Sequence, residues 1–298
     1  MPVHSIRIRS VFFAFTFYFR SIVYLTNPLL NTCIKGHFFV HPSIGFLLIF
    51  AWTAAFANAS WAQQWAHPAA YGIYINANAA GGTRGDALVD ELVAAGGNAV
   101  VFDVKDRMGR LSYTSELKLA RAIGASKEAT IDHPAEVVRS WRDRGLYVIA
   151  RLTCFHDALL AQQRPGMAPL SRLGTGVWSE RGTPNWVDPA LPEVQQYLID
   201  LALEVVGFGV DEIQLDYVRF PTEGRIEEAV FSFDPEVLSK SAVITDFVRR
   251  MRAALEPTGA RLSADIFGVT AWGSRADIET IGQDRASHFL LPPNRGNG

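Results

Sequence analysis

From Tyr71 onward, short apolar runs alternate with longer stretches in which apolar residues recur every three or four positions. The short runs cover residues 71–77, 98–104, 146–152, 211–217 and 261–267. Each has the length of a strand. The longer stretches carry helix signals at their ends. Residues 84–95 set Leu88, Leu92 and Val93 on one side and stop at Gly96-Gly97. Residues 134–144 carry Val137, Val138 and Trp141 and end at Gly145, with Asp132 in the cap region and Pro134 in the first turn. Pro192–Val206 spaces Val194, Tyr197, Leu198, Leu201 and Val205 along one helical face and ends at Gly207. Residues 235–255 do the same with Val237, Leu238, Val243, Ile244, Phe247, Val248 and Met251, and a last helix covers 275–284. Apolar strands alternating with helices predict a parallel sheet covered by helices. Right-handed crossovers make that sheet either open and doubly wound or closed into a barrel.

The phase of the fourth run locates candidate chemistry. Ile213, Leu215 and Tyr217 alternate with Gln214, Asp216 and Val218. One set faces helices; the other faces a barrel axis or the top of a sheet. Asp216 stands near the C-terminal end of its run, where β/α enzymes keep their reactive groups. The loops after the strands are also the longer ones: the stretch from Leu152 to Leu191 holds Trp178, Trp186 and several glycines and prolines. The first strand–helix connection, around Gly81, Gly82 and Gly85, lacks the dinucleotide spacing, and no phosphate-loop motif occurs. A barrel with its site at the C-terminal face therefore fits better than a nucleotide fold. The expectation is a (β/α) TIM-type barrel over residues 71–284 with five of eight strands, incomplete at its C-terminus, and an irregular tail over 285–298. A complete barrel takes about 250 residues, and roughly 230 follow the first segment here.

That first segment, residues 1–60, is of a different composition. Residues 11–25 are apolar apart from Arg20; residues 44–57 are apolar, preceded by Lys35 and His37 and followed by Ala57-Asn-Ala59. Positive flank, short apolar core and A-x-A site read as a secretory signal peptide. The run is shorter than the roughly 20 residues that span a bilayer. Two versions stay open: a signal peptide whose start lies downstream of Met1, or an uncleaved inner-membrane anchor. Either predicts an exported protein, periplasmic, extracellular or attached to the membrane through 44–57. The net charge of −2 over 298 residues provides no basic stripe, so nucleic acid is not an expected partner. Cys33 and Cys154 have no zinc-site spacing, and Cys154, near His156, reads as an ordinary buried thiol. No metal and no cofactor is expected.

The string Asn185-Trp-Val-Asp-Pro189, followed by a helix and by Asp211-Glu-Ile-Gln-Leu-Asp-Tyr-Val-Arg-Phe-Pro221, resembles the bacterial putative glycosyl hydrolase domain. That family is a β/α-barrel group long treated as a domain of unknown function and distantly similar to the α-amylase type. Gly72-Ile-Tyr-Ile-Asn76, Ala99-Val-Val-Phe-Asp-Val-Lys-Asp106 and Ser263-Ala-Asp-Ile-Phe-Gly268 look like its successive strands. The resemblance covers about Tyr71 to Asp284 and departs at Arg285, as a truncation would, which bears on whether this chain is active. It implies a glycosidase and a carbohydrate substrate without naming the sugar.

Glycosidases commonly work with two carboxyl groups, one protonating the leaving oxygen and one attacking or activating water. Asp103, Asp216 and Asp265 lie near strand ends in suitable phase. Asp216 and Asp265 fall on consecutive strands, about 5 Å apart, which suits either catalytic spacing. Asp216 is assigned as nucleophile or base and Asp265 as acid, with the reverse order open. Asp103 either binds a sugar hydroxyl or pairs with Lys105 or Arg107. Arg151 and Arg219 are placed to keep Asp216 ionised. Lys105, Arg151 and Arg219, with the aromatic residues Trp186, Tyr217 and Trp272, complete the expected substrate-binding set; Tyr74 is a further platform candidate. Glu212, at the start of its strand, reads as structural. Two other functions remain: a non-catalytic carbohydrate-binding barrel of the cell envelope, and a metal-dependent hydrolase using Asp103, His156 and Asp216.

Overall fold

The computed structural model describes residues 70–174, 176–272 and 274–284, all within one compact unit. The apolar segment 1–60 and the tail 285–298 lie outside the described residues. Five strands, β1 (Gly72–Ile75), β2 (Ala99–Lys105), β3 (Tyr147–Thr153), β4 (Glu212–Asp216) and β5 (Arg261–Ala264), form one sheet in sequential order. All four pairings are parallel. The helices between them are α1 (Ala77–Ala80), α2 (Thr83–Ala94), α3 (Lys118–Ile123), α4 (Pro134–Asp143), α5 (Ala158–Gln163), α6 (Pro192–Val206), α7 (Lys240–Leu255) and α8 (Arg275–Ile281). A short antiparallel pair, Leu170–Ser171 with Ala229–Val230, ties together the loops after β3 and β4.

All five predicted strands are present, as are the five long helical patterns. The differences are local. The helix expected from Pro235 begins at Lys240, because Ser239 accepts a bond from the Ala242 N–H and caps it there. Val237, placed on a helix face by its spacing, is instead 82 % exposed. In α4 the cap position is His133, whose side chain makes no capping bond, rather than Asp132. The six-residue helices α3 and α5 are too short to show periodicity.

The two faces of the sheet differ sharply. Val148, Ala150, Leu152, Ile213 and Leu215 are buried in the main core with Trp141, Leu198, Leu201 and Phe247 from the helices. Phe102 meets Trp141 edge-on, with ring centroids 5.3 Å apart. On the other face Tyr147, Ile149, Arg151, Glu212, Gln214 and Asp216 are half-buried, and Tyr74 is 54 % exposed. The register aligns Asp103 with Arg151, Arg151 with Gln214 and Gln214 with Ser263, a polar row across the sheet. Asp216 stands at the C-terminal end of β4, and the Asp265 N–H continues the ladder by donating to the Leu215 carbonyl at 2.8 Å.

Candidate active site

Arg151 is the centre of the polar cluster. Its Nη1 donates to Asp103 Oδ1 at 2.8 Å, its Nη2 bonds Asp216 Oδ2, and its Nε lies 3.8 Å from Asp265 Oδ2. Three carboxylates, from β2, from β4 and from the residue just after β5, therefore converge on one guanidinium. Each is half-buried or buried, so the pairings act in a medium less screening than water. Tyr74, from β1, donates its hydroxyl to Asp103 Oδ2, and burial with that carboxylate bond pushes the phenol up to about 12. Gln214 Nε2 donates to Asp265 Oδ1 at 2.8 Å. Tyr74, Val101, Arg151, Gln214 and Asp265 line a cavity of 420 Å³ on this face.

Burial raises the Asp265 carboxyl above the ordinary aspartate range, and the neighbouring Asp216 charge adds to the effect. Arg151 and Gln214 oppose it without reversing it. Two neighbouring carboxyls whose surroundings favour the proton unequally are the electrostatic arrangement of an acid–base pair.

Asp216 also accepts a bond from the Tyr217 N–H at 2.7 Å. Tyr217 has φ +49°, a left-handed conformation that is a local outlier for a bulky aromatic residue. This twist ends the strand and breaks the alternation that would send Tyr217 to the helix side with Ile213 and Leu215. Its ring instead packs 5.0 Å from the His156 ring and 6.0 Å from Trp186. Arg219 lies over the same cluster, its guanidinium carbon 5.1 Å from the Trp186 ring centre, 5.3 Å from Tyr217 and 4.7 Å from Phe267.

Asp103, Arg151, Asp216 and Asp265 thus meet in one cluster, and Trp186, Tyr217 and Arg219 form an aromatic cluster that includes His156. Trp272 falls in a turn at Gly268–Trp272, its side chain outside the described set. Lys105 does not reach the open face. The register shifts between Asp103 and Lys105, so Lys105 pairs with Leu152, a core-facing residue. Its side chain is fully buried, with Nζ 2.9 Å from Asp157 Oδ2 and donating to the Thr153 carbonyl at 2.9 Å. Asp103 correspondingly pairs with Arg151 rather than with Lys105 or Arg107, and the guanidinium that holds Asp216 is Arg151, not Arg219.

The donors of the metal alternative are not gathered. His156 Nδ1 bonds the Arg107 carbonyl at 2.8 Å and its Nε2 faces Glu180 at 3.8 Å, while Asp103 and Asp216 face Arg151. Cys154 is a buried thiol, pushed up by its burial. Glu180 is a residue the sequence reading passed over. The turn that places it has Arg181 at φ +51° and Gly182 at φ +87°, and is closed by the Thr183 N–H donating to the Glu180 carbonyl at 3.1 Å. An Arg-Gly step in a long loop was the one available signal. Asp188, within the Asn185–Pro189 string, is a loop anchor: its oxygens accept from the Ala190 N–H at 2.9 Å and the Ser232 N–H at 2.6 Å.

The profile of a family described as a putative glycosyl hydrolase domain matches residues 72–288, running past the Asp284 limit read from the motifs. A hypothetical protein from Ruminiclostridium thermocellum of known structure is 34 % identical, with TM-score 0.59, over 66 % of this chain and 98 % of that one. A chitobiase from Flavobacterium johnsoniae is 14 % identical, with TM-score 0.48, over 65 % of this chain and 31 % of its own. A noncanonic maltogenic α-amylase from Thermotoga neapolitana is 14 % identical, with TM-score 0.45, over 68 % of this chain and 47 % of its own. The chain thus spans less than half the length of either enzyme. Among curated proteins none matches.

Proposed function

This chain belongs to the putative glycosyl hydrolase domain family, and on that premise we propose that it is a glycoside hydrolase cleaving a polysaccharide or cell-envelope glycan with two carboxyl groups. Its five sequential parallel strands are taken as the first part of a β/α barrel, with the site at their C-terminal ends. The observation that carries the reading is the approach of Asp216 and Asp265 to the same Arg151 guanidinium.

Each group has a role in this reading. Asp265, raised by burial and by its acidic neighbour, protonates the leaving oxygen. Asp216, bonded by Arg151 and by the Tyr217 N–H, is the nucleophile or base. Asp103 and Tyr74 hold Arg151 from the other side and offer polar atoms to sugar hydroxyls. Trp186 and Tyr217 are the aromatic surface for a sugar ring. The apolar segment 44–57 and the Ala57-Asn-Ala59 site make export, or anchoring at the inner membrane, part of the same proposal.

The test is release of reducing ends from a panel of polysaccharides. Asp216→Asn is expected to lower turnover by roughly 10²–10⁴-fold while circular dichroism and thermal melting stay close to those of the parent. Unchanged turnover in a folded variant ends the proposal. A second reading, a non-catalytic carbohydrate-binding protein, is favoured by one observation: all three carboxylates already share a single cation, as a purely structural ion network would. It expects glycan binding that survives Asp216→Asn, with no reducing ends released.

A further inference from the structure

We propose that Arg219, supported by Arg107, binds the carboxylate of an acidic sugar unit beside the scissile bond, so that the substrate is a uronate-containing glycan; this rests on the glycosidase reading of the same site.

Arg219 is half-buried beneath three aromatic rings, yet no carboxylate among the described residues lies within ion-pair distance of it. None of the carboxylates whose fields reach it pairs with it among the described residues. Asp216 is bonded by Arg151, Glu223 is paired with Arg181 at 2.6 Å, and Glu180 faces His156 at 3.8 Å. Burial works against the charge on Arg219, and the surrounding carboxylates do not make up for it. Among the described residues only its Nη1 is engaged, donating to the Phe220 carbonyl at 3.0 Å and to Thr222 Oγ1 at 3.3 Å. Those bonds fix the guanidinium in the loop after β4. Nε and Nη2, one side of the planar fork, have no acceptor among the described residues. A fork of two N–H donors matches a carboxylate and gives a bidentate, charge-assisted pair.

Arg107 places a second positive charge near this cluster. Its carbonyl accepts from His156, its side chain is exposed, and its charge is felt by His156. In a chain with net charge −2, two arginines without carboxylate partners flank the aromatic surface offered to sugar rings. The rings supply stacking to a pyranose face, and the free side of the Arg219 fork supplies recognition of a carboxylate on it.

Isothermal titration of the full chain against galacturonic and glucuronic acid tetramers, and against the same tetramers with carboxyls reduced to hydroxymethyl groups, tests this. At least one acidic tetramer is expected to bind about tenfold or more tighter than its reduced form. Arg219→Gln should abolish that preference, and Arg219→Lys should keep part of it, because charge without the fork remains. If Arg219→Gln fails to fold, Arg219→Lys and Arg107→Gln carry the test, each expected to weaken the preference. Equal binding of acidic and reduced forms, no binding of either, or a preference that survives these substitutions overturns the inference. Cleavage of a neutral glycan without any uronate preference overturns only this inference. Arg219-dependent uronate binding with no reducing ends released upholds the carboxylate site alone and ends the hydrolase reading, and with it the place beside a scissile bond.

Discussion

Asp265 is the residue whose environment makes the clearest statement about pH. Burial raises its carboxyl, and the Asp216 charge pushes in the same direction. A group raised on folding contributes stability that is fully present below its unfolded value, about 3.9 for aspartate, and lost as pH rises through the folded one. The ionised carboxylate is therefore a net cost to the folded state at neutral pH. Asp265→Asn, which stays neutral, is expected to melt higher than the parent at pH 7 and at nearly the same temperature at pH 3. Thermal melts at the two values check this; a variant less stable at pH 7 than at pH 3, relative to the parent, would show that Arg151 outweighs burial. The carboxylates themselves were legible in the sequence, because period two along β2 and β4 carries Asp103 and Asp216 to one face. Tyr217 stands among the aromatic candidates read from the sequence, but its backbone was not legible, since nothing about a tyrosine signals a left-handed conformation and its place in the alternation pointed it the other way. Glu180 was hidden in a long loop without periodicity, where only tertiary contacts decide which side chains meet.

The elements around β2 show how a local irregularity redistributes charge. The register shift after Asp103 turns Lys105 into the core, where it meets Asp157 with both side chains fully buried. Asp157 also caps α5 by accepting from the Leu160 N–H at 2.8 Å, so the pair ties the end of β2 to the start of that helix. Gly109 completes the joint: it has φ +84°, and a Cβ there would come within 2.0 Å of Asp157 Oδ1. Removing one partner of a buried pair leaves a charge without compensation, at a cost of about 3–5 kcal/mol. Lys105→Met should lose about that much in urea unfolding, and Lys105→Met with Asp157→Leu should regain a large part of it. A Lys105→Met variant with unchanged midpoint would mean that Lys105 is not held as described. Lys105 stands in the substrate set expected from the sequence, and its spacing from Asp103 would put it on the open face of a regular strand but not of a shifted one. The long helices were readable from their spacing, while the start of α7 was set by Ser239, a cap that the preceding apolar Val237 and Leu238 obscured.

For the molecule as a whole, topology does the chemical work of assembly. Sequential parallel strands put every strand's C-terminal end on one edge, and the loops after them deliver Trp186, Tyr217 and Arg219 to a single aromatic cluster. One face of the sheet is packed against helices; the other keeps the Arg151 cluster half-open beside a cavity. Layering was legible because apolar runs and helical periods alternate from Tyr71 to Ile281, with the long loop after Leu152 as the main interruption. The convergence of three carboxylates on one guanidinium was only partly so, since it depends on register, which the sequence leaves free. Paired catalysis makes its own whole-molecule prediction, because groups that act as a unit fail together. The decisive measurement is kcat/KM for reducing-end release by the parent, Asp216→Asn, Asp265→Asn and the double variant on one cleaved glycan. Each single substitution is expected to remove most of the activity and the double variant to be little worse than the poorer single one; activity that survives either single substitution would contradict a catalytic pair.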